Sequence, residues 1–203
     1  MRRTRACVAG ADHSGRWARD DPGVLLLCAA AASVLGASFS AALSTAPLGF
    51  GSLPLSLLWG AFAGMLAFVA MAGLASTVLW LLAERLLRSP APPHRTVQAA
   101  EWAYALDVHC NASVPVLAAG AGMLLLLPLL ASGWLGAALS NAAATVAASS
   151  YLAVAADGLR TLPFVDRAAG AVLSAAAAVA LIALLATLAG VNLPLELLAS
   201  LAV

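Results

Sequence analysis

One polar segment, Glu101–Asn111 (EWAYALDVHCN), holds the side chains that are best suited to chemistry in this chain. Asp107, His109 and Cys110 are of the types that bind metals, and Glu101 is a further acid–base group. No proline interrupts the segment, so it is predicted to be helical. Side chains one or two positions apart on a helix point in different directions, and no second His or Cys cluster lies near in the sequence. We therefore predict that these residues hold no metal ion.

The sequence also lacks the signatures of known membrane enzymes. Neither HExxH nor GxSxG occurs, and no pair of carboxylates lies within an apolar stretch. Glu101, Asp107 and His109 would form an acid–base set only if the fold brought them together. The sequence therefore predicts a protein that is not an enzyme and that needs no cofactor.

The helix predicted within residues 94–114 has two distinct faces. The first face carries Trp102, Leu106 and His109. The second face carries Glu101, Tyr104 and Asp107. A helix of this kind can lie in the membrane interface, in which case Asn111 or Ser113 would cap the helix that follows it.

The composition indicates an all-α membrane protein. Of the 203 residues, 63% are hydrophobic and 9% are charged, whereas soluble domains contain about 25% charged residues. A spanning helix needs about 20 mostly apolar residues. Five stretches qualify, at 23–46, 53–83, 114–132, 134–156 and 169–191. We therefore predict a bundle of five transmembrane helices over residues 23–203, preceded by a cytosolic segment at 1–22.

The ten arginines lie in every second connection between the predicted spans. They precede the first span and occur in the loops at 84–113 and 157–168, while the alternate connections contain none. Because arginines concentrate on the cytosolic side of membrane proteins, we predict a cytosolic N-terminus. Four or six spans would break the alternation. The pattern also predicts that no ionisable side chain lies within the spans.

Several other positions lie within or next to the predicted spans. A pair of aspartates precedes Pro22, which suits the first turn of a helix. Asn141 is the most polar side chain well inside a span, and it is predicted to hydrogen-bond a neighbouring helix. Cys7 and Cys110 lie near the predicted membrane and are interpreted as free thiols, with acylation as the alternative.

Small and aromatic residues give further expectations about packing. Gly60 and Gly64 form a GxxxG pattern in the second span, and small residues let helices approach closely. Because such spacings arise by chance in an Ala-rich chain, we interpret the pattern as close packing within the bundle rather than as a dimer contact. Trp134, at a span boundary, is predicted to be an interfacial anchor.

Motifs in these segments resemble those of the UNC-50 family of small multispanning Golgi proteins. RWARDDP at 16–22 is similar to the family's QWARDDP, and EWAYALDVHCN is similar to its EWLYAFDVHCN, with a proline at the matching position after it. LPFVDR at 162–167 follows in the family's order. The matching positions, which are expected to contact partners or to pack helices, are Trp17, Arg19, Asp20, Asp21, Pro22, Glu101, Trp102, Tyr104, Asp107, His109, Asn111, Pro115, Asn141, Pro163 and Phe164.

The resemblance implies a multi-pass membrane protein of the Golgi apparatus that takes part in vesicle-mediated transport. The implied partners are membrane lipid, a cytosolic exchange factor for Arf-type GTPases or a coat component, and membrane cargo such as receptor subunits. The endoplasmic reticulum and the inner nuclear membrane, the latter with RNA binding, are the implied alternatives. The chain departs from the family where aromatic residues after Asn111 and tyrosines near Ser150 are replaced by Ala, Ser and Val.

A different class of function is a small neutral-solute transporter or channel. Proton-coupled carriers usually need buried carboxylates or histidines, and the predicted spans contain none, but a path lined by Ser, Thr and Asn141 stays open. Nucleic-acid binding is not expected, because the chain shows little clustering of basic and aromatic residues. The favoured prediction is a non-enzymatic trafficking protein.

Overall fold

The computed structural model describes residues 23–43, 52–88, 100–130, 132–162, 164–165 and 168–202. Within these ranges the chain is helical, apart from turns and one isolated antiparallel bridge between Arg88 and Val165. The long helices are apolar around their whole circumference, which is typical of segments that contact lipid and other helices rather than water. The predicted all-α fold class is confirmed.

Seven α-helices lie in the described ranges. They are α1 (Gly23–Leu43), α2 (Ser52–Leu81), α3 (Trp102–Leu125), α4 (Leu127–Leu130), α5 (Gly133–Leu159), α6 (Ala168–Leu188) and α7 (Leu193–Ala202). A π-helical turn, Leu82–Leu86, extends α2. Five of these helices, all except α4 and α7, are long and apolar enough to cross a membrane. The predicted number of spans is therefore confirmed.

The helix that contains the third span starts at Trp102, earlier than the predicted start of the span at Val114. The sequence was interpreted as an interfacial helix followed by a span at 114–132, whereas α3 runs without a break from Trp102 to Leu125. The buried face of its first half comprises Ala105, Val108, His109, Cys110, Ala112 and Ser113. This spacing directs one face into the bundle, where α3 contacts α1, α2 and α5. Asn111 and Ser113 lie inside α3, so neither caps the start of a helix.

α1 and α2 approach each other most closely where glycines face glycines. A Cβ added to Gly60 would lie 2.5 Å from the carbonyl oxygen of Gly36, and a Cβ added to Gly64 would lie 2.5 Å from that of Ala32. Only residues without side chains permit such an approach between backbones. The GxxxG pattern therefore packs within the bundle, as the sequence indicated.

The buried apolar core lies toward one end of the bundle. The C-terminal ends of α2 and α5 meet the N-terminal end of α3 there, and the core is built mainly of small and aliphatic side chains. Its members include Ala83, Leu87, Ala105, Val108, Ala112, Ala155 and Leu159. The described arginines, Arg85, Arg88 and Arg160, lie at this same end, which we call the arginine-bearing end.

The opposite end of the bundle contains two chain reversals at glycines. Gly133 (φ 55°) is the first residue of α5, and Gly190 (φ 71°) lies between α6 and α7. Positive φ values of this size favour glycine because it has no Cβ. After Gly190, α7 packs against α1, α2 and α5, so the chain folds back onto the bundle at this end.

The contact between α1 and α2 can be tested with two glycines of the same helix. Gly60→Ala places a methyl group against the backbone of α1, and overpacking of this kind costs about 1–3 kcal/mol. Gly73→Ala is the matched control, because a Cβ at Gly73 meets nothing within 4 Å. In detergent micelles, thermal unfolding followed by circular dichroism should show a lower midpoint for Gly60→Ala only. Equal midpoints would contradict the close approach.

Candidate functional site

A hydrogen-bond network at the arginine-bearing end is centred on Glu84. One carboxylate oxygen of Glu84 lies 2.5 Å from the guanidinium of Arg88, one helical turn later. The other accepts the backbone N–H of Ala100. The indole N–H of Trp80 donates to the carbonyl oxygen of Ala100 at 2.9 Å. These contacts hold the chain just before α3 against the end of α2.

The segment Glu101–Asn111 is called the central motif below. Its first two residues lie at the surface of this end. Glu101 is extended (φ −81°, ψ 139°), and its carbonyl oxygen accepts the N–H of Tyr104 at 3.1 Å in the first turn of α3. Trp102 donates its indole N–H to the hydroxyl of Thr77 at 3.1 Å, yet 42% of its surface is exposed. Its indole is therefore positioned by α2 and still accessible to a partner.

Tyr104 connects α3 to α5. Its hydroxyl donates to the carbonyl oxygen of Gly158 at 2.6 Å and also contacts the hydroxyl of Thr161. Gly158 has no room for a side chain, because an added Cβ would lie 2.8 Å from a methyl group of Val108. Side chains of α3 thus pack directly on the backbone of α5 at the level of the motif.

The connection between α5 and α6 is attached to the end of α2 through Arg88. The guanidinium carbon of Arg88 lies 5.1 Å from the centroid of the Phe164 ring, within the range of a cation–π interaction. The Arg88 backbone also pairs with Val165. Beside it, Arg85 and Trp80 help to line a surface recess of about 390 Å³.

His109 forms a second polar cluster, deeper in the bundle. Its Nδ1 lies 2.8 Å from the Tyr151 hydroxyl of α5, and its Nε2 lies 3.3 Å from the Ser113 hydroxyl. The Phe68 ring centroid lies 6.0 Å from that of His109, and the Tyr151 ring meets the imidazole edge-on at 5.6 Å. His109 is only 5% exposed, so its polar atoms depend on these internal partners.

The prediction that no ionisable side chain lies within the spans does not hold for the five apolar helices, which contain Glu84, Arg85, Asp107, His109 and Asp157. At a rise of about 1.5 Å per residue, His109 lies roughly 10 Å along α3 from Trp102. Half-buried Asp107 lies in the same spanning helix. For Asp107 and His109 this follows from the start of α3 at Trp102. Ionisable groups inside a membrane are costly and face the protein interior, as His109 does.

Asn111 and Pro115 are accommodated within α3 by local contacts. The side-chain amide of Asn111 donates to the carbonyl oxygen of Asp107 at 2.8 Å. Pro115 lies inside the helix, where it has no N–H to donate to the carbonyl of Asn111, yet α3 continues for ten residues beyond it. Cys110 is fully buried beside Cys28, which makes it a poor acylation site.

Asn141 lies at the opposite end and connects three helices. Its amide donates to the Thr187 hydroxyl at 2.9 Å and to the Val191 carbonyl at 2.8 Å, and its side-chain oxygen accepts the N–H of Leu193 at 3.1 Å. Asn141 thus holds the end of α6 and the start of α7 against α5. The predicted hydrogen bond to a neighbouring helix is confirmed, and Trp134 adds an indole contact to the Thr187 carbonyl at 2.9 Å.

The predicted site residues therefore divide into three groups. Glu101, Trp102, Tyr104 and Phe164 meet at the arginine-bearing end; Asp107, His109, Asn111 and Pro115 lie along α3; Asn141 lies at the opposite end. Trp17, Arg19, Asp20, Asp21, Pro22 and Pro163 lie outside the described residues, as does Cys7. Within the described ranges, no three His, Cys, Asp or Glu side chains come together in a way that could hold a metal ion.

Sequence reasoning missed the partners of these residues on other helices. Thr77, Glu84, Arg88 and Thr161 were not selected, although they hold the motif in place. The spacing of Glu84 and Arg88, four apart on a helix, was a usable signal for an ion pair. The other contacts join residues far apart in the chain, so no local pattern indicates them.

The chain is a polytopic helical membrane protein, because five of its helices are long and apolar enough to span a membrane. It has a polar end that bears the central motif and a buried histidine. The sequence model of the UNC-50 family matches residues 5–201, so the chain belongs to this family. No solved structure matches the chain.

Individual proteins that are similar to this chain carry the name of the same family. The chain is 32% identical over 153 residues to the protein unc-50 homolog of Dictyostelium discoideum, covering 74% of this chain and 57% of that protein. It is 31% identical over 152 residues to the protein unc-50 homolog of Bos taurus, covering 73% and 55%. A match to the protein unc-50 of Caenorhabditis elegans, 32% identical over 102 residues, covers 50% and 30%. The chain thus spans little more than half the length of the first two.

Two adjacent buried residues of α5 test the role assigned to Asn141. Asn141→Ala removes hydrogen bonds that connect three helices, and leaving their partners unpaired costs roughly 1–3 kcal/mol. The control is Ser140→Ala, since the buried hydroxyl of Ser140 has no hydrogen-bond partner among the described residues. Unfolding in micelles should show a clear loss of stability for Asn141→Ala. Ser140→Ala should be neutral or slightly stabilising, and the reverse order would refute the assignment.

Proposed function

We propose that this protein is a non-enzymatic Golgi membrane protein of vesicle trafficking, which recruits an exchange factor for Arf-type GTPases and supports the assembly or transport of receptor subunits. Membership of the UNC-50 family and the motif resemblance support this proposal. The observation that carries it is the construction of the arginine-bearing end. There, side chains from α2, α3 and the α5–α6 connection join into one surface that keeps Trp102 exposed.

The geometry of this end favours binding over catalysis. The carboxylate of Glu84 is engaged by Arg88 and by a backbone N–H, and the hydroxyl of Tyr104 is engaged by α5. These groups connect helices instead of converging on a common point where a substrate would react. An exposed aromatic residue beside arginine and glutamate side chains is typical of protein interfaces, in which Trp and Arg contribute most of the binding energy.

The orientation that this role requires places the arginine-bearing end in the cytosol. Arg85, Arg88 and Arg160 lie together at that end. Glu196 lies on α7, which follows the chain reversal at Gly190 at the opposite end of the bundle. Excess arginine on one side is a property of cytosolic faces. A cytosolic motif end is accessible to soluble exchange factors, whereas a luminal one is not.

The neutral-solute path considered from the sequence receives less support. Such a path was expected to use Asn141, but the Asn141 side chain is 2% exposed and bonds to Thr187, Val191 and Leu193. This arrangement favours a role in holding helices together over contact with a passing solute.

Two exposed tryptophans at opposite ends of the bundle test the recruiting surface, which is the surface around Trp102 at the arginine-bearing end. Trp102→Ala should reduce capture of an Arf exchange factor by the tagged full-length protein from Golgi membranes by about tenfold or more, since a central aromatic contact contributes about 2 kcal/mol or more. Trp134→Ala is the control, because Trp134 is also exposed (60%) and also makes one indole hydrogen bond. Equal capture by both variants would place the partner elsewhere.

Localisation of the tagged protein to the nuclear envelope and not to the Golgi would instead favour the inner nuclear membrane, the alternative location.

The orientation can be tested with single cysteines in a chain whose Cys7, Cys28 and Cys110 are replaced by serine. Arg85→Cys and Glu196→Cys both lie at exposed positions. A membrane-impermeant maleimide, added to cells whose plasma membrane alone is permeabilised, should label Arg85→Cys at once. Glu196→Cys should react only after detergent opens the internal membranes. Immediate labelling of Glu196→Cys alone would reverse the orientation and remove the recruiting surface from the cytosol.

A further inference from the structure

A cavity of about 720 Å³ lies between the helices below the arginine-bearing end. Along α3 it extends from His109 to Met123, which is roughly 21 Å at about 1.5 Å per residue. Binding sites for small molecules usually have volumes of about 300–1,000 Å³ and are mostly apolar with a few placed polar groups. The cavity has both properties, and α7 contributes Pro194 and Leu197 to its far end.

The lining of the cavity excludes charged ligands. It consists of aliphatic and aromatic side chains and of many alanines and glycines, and no Asp, Glu, Lys or Arg is among the described residues that form it. A charge transferred into such surroundings without a partner is very costly. The cavity also lies within the spanning helices, where the surrounding molecules are lipids. Its occupant is therefore expected to be an uncharged molecule of the membrane.

Most of the polar lining lies around His109, while Ser40, the other polar residue of the lining, donates its hydroxyl to the carbonyl oxygen of Ser56 at 3.0 Å. His109, Ser113 and Tyr151 all border the cavity, at its end nearest the arginine-bearing end. The Ser113 hydroxyl donates its single proton to the His109 carbonyl at 2.8 Å. The contact between Ser113 Oγ and His109 Nε2 at 3.3 Å therefore requires a proton on Nε2. We assign neutral His109 to this tautomer.

This assignment determines what the cluster offers to a ligand. With the proton on Nε2, Nδ1 is an acceptor, and it takes the proton of the Tyr151 hydroxyl at 2.8 Å. The protons of the three side chains are thus directed into the cluster. The phenol oxygen of Tyr151 and the hydroxyl oxygen of Ser113 each retain capacity to accept. The cluster can accept a hydrogen bond from a ligand, so it favours a hydroxyl group over an ester, ether or ketone.

We propose that the cavity binds one uncharged lipid that carries a free hydroxyl group. The hydroxyl donates its one proton to the phenol oxygen of Tyr151 or to the hydroxyl oxygen of Ser113, and the apolar part extends along α3 toward Met123. Sterols and diacylglycerols share this chemistry. The proposal does not depend on recruitment of an exchange factor, because it rests on the lining of the cavity alone.

The test uses the purified full-length chain in lipid nanodiscs and two photoreactive probes, a sterol and a diacylglycerol. One of them should label the protein saturably, and which one does so identifies the source of the hydroxyl. Its unlabelled parent should compete roughly three- to tenfold better than the methyl ether of that parent, since one hydrogen bond contributes about 0.5–1.5 kcal/mol. A photoreactive phosphatidylcholine, whose zwitterionic headgroup has no hydroxyl, serves as the reference and should not label saturably.

Two variants connect the labelling to the cavity. Ala148→Phe fills it and should abolish labelling, whereas Ala142→Phe, at an exposed position of the same helix outside the lining, should not. His109→Phe removes the acceptor of the Tyr151 proton, so the phenol can then donate to a ligand. The preference for the alcohol over its methyl ether should fall to near unity. A purely structural role of His109 would lower all labelling without changing this ratio.

Several results would overturn the proposal. The first is that phosphatidylcholine labels the protein as strongly as both hydroxyl lipids do. The second is that neither hydroxyl lipid labels it saturably. The third is that the alcohol and its methyl ether compete equally in the unmodified protein. Unchanged labelling of a folded Ala148→Phe would place the lipid elsewhere. If Ala148→Phe does not fold, the competition ratio in the unmodified protein and in His109→Phe decides. None of these results depends on exchange-factor capture, so the two proposals fail separately.

Discussion

The close packing of α3 against α5 is the constraint on which the rest of this structure depends. Val108 packs directly on Gly158, and the Tyr104 hydroxyl donates to the Gly158 carbonyl. This contact draws the polar start of α3 into the bundle instead of leaving it on the membrane surface. It places His109 next to Tyr151 of α5, and it brings the α5–α6 connection within reach of Arg88. A side chain at position 158 would separate these elements.

Composition and charge were sufficient to predict the fold class and the number of spans. They were insufficient for the third span, because Asp107, His109 and Asn111 resemble residues of a loop when only hydropathy is considered. The structure satisfies these groups internally, which membrane helices require of buried polar groups. Such satisfaction depends on a residue from another helix, as between His109 and Tyr151, 42 positions apart. A single sequence does not reveal such a pair.

Small residues have two opposite effects in this bundle. Where they face each other, as Gly36 and Gly60 do, they bring two backbones into contact. Where they face a gap between helices, they leave volume unfilled, and the lining of the large cavity is rich in alanine and glycine for this reason. The same composition therefore gives close backbone contact between α1 and α2 and, bordered by the same glycines, a partly open cavity that small side chains leave unfilled. The number of small residues alone does not distinguish the two effects; their pairing across helices does.

The central motif is long because its residues serve three surfaces of one helix. Glu101 and Trp102 belong to the exposed end, Tyr104 and Val108 contact α5, and His109 borders the cavity together with Ser113. Successive side chains of a helix point in different directions, with about 3.6 residues per turn. Three turns are therefore enough for side chains to reach all three surfaces. Because α3 is continuous, the exposed tryptophan and the buried histidine are held at a fixed separation. The exposed end and the cavity are consequently connected through a single continuous helix, although each depends on different side chains.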